Sequence, residues 1–148
     1  MPRLDRVLVS VDFSPASSEV LGTLGTLDLP AASLLLVHVV PDLPFAAAAY
    51  LKETQIRQLQ RDLESQAERM LEDLAARELG DRYSWEVVIA RGNPARCILK
   101  LARERRTNLI VLGNSDQSKE AGIRFGSTAE KVVASAPCPV LIVPVGGS

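Results

Sequence analysis

Gly126, Ser127 and Thr128 open a helical pattern, and Gly113 closes an apolar run earlier in the chain. A helix N-terminus offers unpaired N–H groups and a partial positive charge, so it suits an anion. Gly126 permits close backbone approach, and the hydroxyls of Ser127 and Thr128 add donors. The segment between them, NSDQSKEAGIRF over residues 114–125, is rich in small residues and is a candidate phosphate cradle. A plainer reading stays open, in which Ser127 caps its own helix and Gly126 only turns the chain. Asp12 follows another apolar run, VLVSV, and is an acidic candidate at a strand end.

Other chemistries fail on residues. No GxxxxGK[ST] string occurs, which removes a P-loop. Gly113-Asn114-Ser115-Asp116-Gln117 lacks the final glycine of a nucleophile elbow. The single histidine, His38, leaves no basis for a Ser-His-Asp triad or a histidine-based zinc site, and it reads as a packed strand-end residue. Cys97 and Cys138 lack CxxC spacing and read as small, half-buried thiols. No catalytic residue and no resident metal site are expected.

Composition agrees with a small-molecule ligand. Lys plus Arg is 17 and Asp plus Glu is 18, so the net charge is −1. That balance argues against nucleic acid, which wants a basic face. Three Phe, two Tyr and one Trp leave little for base stacking. No apolar run is long enough to span a membrane, and the N-terminus has no signal-peptide layout. The expectation is a cytoplasmic protein with one domain over residues 1–148.

The elements that must position these residues alternate. Near-continuous apolar runs at 7–11, 34–40, 109–113 and 140–145 read as strands buried on both faces. Residues 83–90 alternate, with Trp85, Val87 and Ile89 on one face, and read as a strand nearer an edge. Ser14-Pro15 opens a first helix that runs to about Asp28. Pro41, Pro44 and the alanines at 46–49 read as a loop. Residues 52–79 form the strongest helix, with Ile56, Leu59, Leu63, Ala67, Met70, Leu71 and Leu74 on one stripe that packs on the sheet. Asn93-Pro94 caps a further helix, and Ser127-Thr128-Ala129-Glu130 reads as a capping box for the last. Strands alternating with helices imply an α/β fold with a parallel sheet and helices on both faces. Ligands in such sheets bind beyond the carboxyl ends of the strands, where Asp12, Val39, Gly113 and Gly126 fall.

SVDFS, LLLVHVV, RGNPA, NLIVLG, GSTAEKVV and APCPVLIVPV occur in that order along nearly the whole chain, and together they resemble the universal stress proteins. The resemblance implies an open five-stranded Rossmann-like sheet in order 3-2-1-4-5, with a switch point between strands one and four. It also implies an ATP site. Asp12 and the backbone near Val39 would hold the adenosine half; Gly113, Gly126, Ser127 and Thr128 would hold the phosphates. The family's nucleotide motif runs Gly, two residues, Gly, nine residues, then Gly-Ser or Gly-Thr. Here Asp116 stands at the middle glycine, with the spacing intact.

A carboxylate there changes the electrostatics. At ~5 Å and an effective dielectric near 20, two like unit charges repel by about 3 kcal/mol. A Mg²⁺ bound with the ATP would reverse that sign, since hard cations take carboxylate and phosphate oxygens together. Two functions follow as expectations: a nucleotide-binding stress regulator with at most weak ATP hydrolysis, or an interaction module of the same fold that lost its nucleotide through Asp116. The last strand, with Val140, Leu141, Ile142 and Val143, is very apolar, and Pro144 favours an edge. An exposed apolar edge needs cover, and the resemblance implies a homodimer through this strand. Leu141→Lys is expected to convert a dimer to monomer or aggregate by light scattering; an unchanged dimer mass would reject that interface.

Overall fold

The computed structural model describes residues 4–14, 16–27, 29, 32–113 and 126–144. Its elements in chain order are β1 (Arg6–Ser10), α1 (Ala16–Thr26), β2 (Ser33–Val40), α2 (Phe45–Ala48), α3 (Glu53–Glu78), β3 (Ser84–Arg91), α4 (Pro94–Glu104), β4 (Leu109–Gly113), α5 (Ser127–Ser135) and β5 (Val140–Val143). All strand pairs are parallel, in the order β3-β2-β1-β4-β5. The expected α/β sheet and its order are therefore observed.

Alternation along the strands sends side chains to two separate cores. Val7, Val9, Leu34, Leu36 and Val111 face α1 and α3, where they meet Val20, Leu21, Leu24, Leu71, Leu74 and Ala75. Leu8, Leu35, Val37, Ile110 and Leu112 face α4 and α5, where they meet Ile98, Ala102, Ala129 and Val132. Being buried on both faces is why β1, β2 and β4 read as unbroken apolar runs. β3 alternates because it lies at the sheet edge, with Trp85, Val87 and Ile89 against the first core.

Several local readings need correction. The alanine-rich segment expected as a loop forms the short helix α2. Strand β1 ends at Ser10 rather than at residue 11, and β5 ends at Val143. Ser127 does not cap α5: Gly126 takes the N-cap position with extended backbone, and no side-chain cap bond forms. Ser14 does not cap α1 either, since its hydroxyl has no hydrogen-bond partner among the described residues. Asn93 behaves as expected, with Oδ1 accepting from the N–H of Arg96 at 3.0 Å and Pro94 in the first turn.

The stripe of α3 is only half used. Ala67, Leu71, Leu74 and Ala75 are buried, whereas Leu59, Leu63 and Met70 are 37–45% exposed. For Leu59 and Leu63 the reason is length. Arg91, the last residue of β3, bonds Glu64 and Gln60, so this part of α3 is level with the end of the sheet. The first two to three turns of α3 therefore lie beyond β3. Leu71→Ala is expected to cost about 2–5 kcal/mol by urea denaturation, and Leu63→Ala under ~1 kcal/mol. Equal losses at the two positions would contradict this division of the helix.

Candidate functional site

At the carboxyl end of β1 the chain turns sharply, and two hydrogen bonds hold the turn. The N–H of Val11 donates to the carbonyl of Val37 at 2.8 Å. His38 Nδ1 lies 2.7 Å from the carbonyl oxygen of Val11. A carbonyl only accepts, so Nδ1 carries the proton and donates. Phe13 then adopts φ +60°, a conformation rare for a bulky residue, with its ring centroid 4.3 Å from that of His38. The strained residue persists because the packed imidazole and the latched carbonyl constrain it.

Asp12 sits between the latch and the strained residue. Its Oδ1 accepts from the N–H of Ser14 at 2.9 Å and from Ser17 Oγ at 3.2 Å. The carboxylate thus occupies the N-terminus of α1, where its charge also suits the helix dipole. Asp-to-backbone bonding two residues on is a familiar local pattern. It was readable in D-F-S, but the serine draws the eye as the usual cap.

Across the crevice lies the start of α5. The carbonyl of Gly126 accepts from the N–H of Glu130 at 3.0 Å, which begins the helix, and among the described residues no side chain caps the first turn. Three helix N-termini therefore border one space. Asp12 accepts beside the start of α1 and Asn93 caps α4, while α5 has no side-chain cap among the described residues. The space measures about 320 Å³, enough for a small ligand.

The structure gathers most of the residues singled out from sequence around this crevice. Asp12, Val39, Gly113, Gly126, Ser127 and Thr128 all line it. Asp116 lies outside the described residues. Sequence reasoning missed Ser14 and Ser17 as lining residues, and it placed His38 near the crevice without the latch. Nothing in the sequence signals the left-handed Phe13.

The cysteines stand apart from the lining. Cys97 Sγ donates to the carbonyl of Arg91 at 3.4 Å, and burial pushes its pKa above the usual thiol value. Burial raises Cys138 in the same way. Both favour the thiol over the nucleophilic thiolate. Among the described residues no three His, Cys, Asp or Glu side chains group to hold a metal ion, and no helix is long and apolar enough to cross a membrane.

His38→Leu removes the donor to the buried Val11 carbonyl and is expected to cost about 1–3 kcal/mol by chemical denaturation. In His38→Asn the amide nitrogen sits where Nδ1 sits, so at least half of the loss is expected to return. A leucine variant as stable as the parent would show that the latch contributes nothing.

Comparison with known proteins accounts for this arrangement. The model of the universal stress protein family matches residues 3–144. The universal stress protein encoded in the QAH/OAS sulfhydrylase 3′ region of Thermus aquaticus is 34% identical over 113 residues, covering 76% of this chain and 77% of that one. Among solved structures, the hypothetical protein MJ0577, whose biochemical function was assigned from its structure, superposes with a TM-score of 0.83 at 22% identity, covering 99% and 100% of the two chains. A universal stress protein solved in complex with cAMP superposes with a TM-score of 0.63 at 22% identity, covering 97% and 98%. The chain belongs to the universal stress protein family.

Proposed function

We propose that this protein is a cytoplasmic stress-response regulator that binds an adenine nucleotide between the ends of β1 and β4. One observation carries the reading: a single crevice has an acceptor at one side and an uncapped helix start at the other. Asp12 suits the hydroxyl-bearing, neutral half of a nucleotide, with the Val39 backbone beside it. Gly113, Gly126, Ser127 and Thr128 suit the phosphates, where free N–H groups and the helix dipole favour negative charge. The solved relative that holds cAMP supports a nucleotide of this class.

ATP with Mg²⁺ is the form the family motif favours, and Asp116 would then meet the metal as well as the phosphates. Hydrolysis, where it occurs, is slow, since no general base stands out near the phosphate end. The protein works as a homodimer through β5. That strand lies at the sheet edge, and its unpaired backbone groups are a template for a second copy. The competing reading, a partner-binding module that has lost its nucleotide, rests on Asp116 in place of glycine.

Isothermal titration separates the two. Binding of ATP with Mg²⁺, AMP or cAMP supports the nucleotide reading; no heat from any of them at millimolar concentration rejects it. Asp116→Gly is expected to tighten ATP by up to about a hundredfold in the absence of Mg²⁺, the factor that ~3 kcal/mol of repulsion implies. A weaker ATP complex in that variant would instead identify Asp116 as a ligand.

A further inference from the structure

Ser14 lies two residues from Asp12 and lines the crevice, yet nothing derived so far uses its side chain. Its backbone is fixed at both ends. The N–H donates to Asp12 Oδ1 at 2.9 Å, and the carbonyl accepts from the N–H of Ser17 at 2.9 Å. The hydroxyl is the exception: Oγ is buried and has no hydrogen-bond partner among the described residues. Buried polar groups are nearly always paired, and an orphan calls for an explanation. Ser17 makes the contrast, for its hydroxyl is satisfied on Asp12. The pinned backbone leaves one freedom, rotation about χ1, which moves Oγ among three staggered positions.

The surroundings select the partner. A neighbouring carboxylate disfavours an anion at this side, and Asp12 sits beside the start of α1. A phosphate belongs at α5. The group that meets Ser14 must be neutral, and a hydroxyl serves because serine both donates and accepts. A ribose offers adjacent hydroxyls, one for Asp12 and one for Ser14. Resting on the nucleotide reading above, we infer that Ser14 is a specificity-determining contact to a ribose hydroxyl, which makes the crevice prefer ribonucleotides to a deoxy analogue.

An orphan hydroxyl that waits for a ligand weakens the empty protein and strengthens the complex, so its removal has opposite effects on the two. The probes are AMP, 2′-deoxy-AMP and 3′-deoxy-AMP, titrated against the parent, Ser14→Ala and Ser17→Ala. The parent is expected to bind AMP about 3–10-fold more tightly than one of the deoxy analogues, the size of a neutral hydrogen bond. Ser14→Ala is expected to lose that factor on AMP and to show no preference. Its ligand-free melting temperature is expected to rise by about 2–4 °C. Ser17→Ala is expected to melt lower and to keep the preference. Discrimination that survives intact in Ser14→Ala overturns the inference, as does a parent that binds all three equally. A fall in melting temperature with discrimination unchanged assigns Ser14 a packing role only, which also overturns it. A parent that binds none of AMP, ATP or cAMP removes the nucleotide reading itself, an outcome distinct from binding without discrimination.

Discussion

The crevice lies where β1 and β4 are neighbours whose following helices, α1 and α5, pack on opposite faces of the sheet. β1 is bonded along both edges, to β2 on one side and β4 on the other. The next helix after β1 is α1, which packs with α3 on one face; the next described helix after β4 is α5, which packs with α4 on the other. Backbone hydrogen bonding thus places Asp12 and Gly113 side by side, and it does so without any demand on their side chains.

Among the described residues, the lining of that crevice holds no lysine or arginine. Its positive element is the backbone of α5, and its negative element is Asp12. The other two helix starts have side chains of their own beside them, Asp12 at α1 and Asn93 at α4. The result is a polar axis across a wall of mixed character, to which Val11, Val20 and Leu112 contribute the apolar part. Such an axis orients an amphoteric ligand with one charged and one neutral end. A chain of near-zero net charge can therefore still hold an anion, because the field comes from oriented peptide groups rather than from lysine or arginine.

Most of the architecture was legible because burial on two faces writes itself into the sequence. VLVS, LLLVHVV and LIVLG are strands with a core on each side, and Asn93-Pro94 is a helix start with both of its signals present. The misreadings share a cause: each local pattern had two solutions, and tertiary geometry chose between them. Ser127 fits a capping box, but Gly126 enters the helix in extended conformation and takes that position. Ser14 fits a cap, but the carboxylate of Asp12 reaches the same helix end first. The α3 stripe is continuous in sequence, but the sheet beneath it ends level with Glu64. Phe13 was illegible, since its left-handed backbone depends on His38, a contact across 25 positions that no local pattern carries.

The uncapped start of α5 also bears on how the molecule holds together. This helix is only nine residues long and leads within a few residues into β5 at the sheet edge. A helix of that length is marginal by itself and depends on packing and on its ends. An anion seated on its first turn acts as a detachable cap and completes an end that the sequence leaves open. Binding to the folded chain alone adds about 2.7 kcal/mol of stability at a hundred times the dissociation constant. The abundance of a small metabolite would then be written into the rigidity of one edge of the sheet, a form of information that needs no catalysis to transmit.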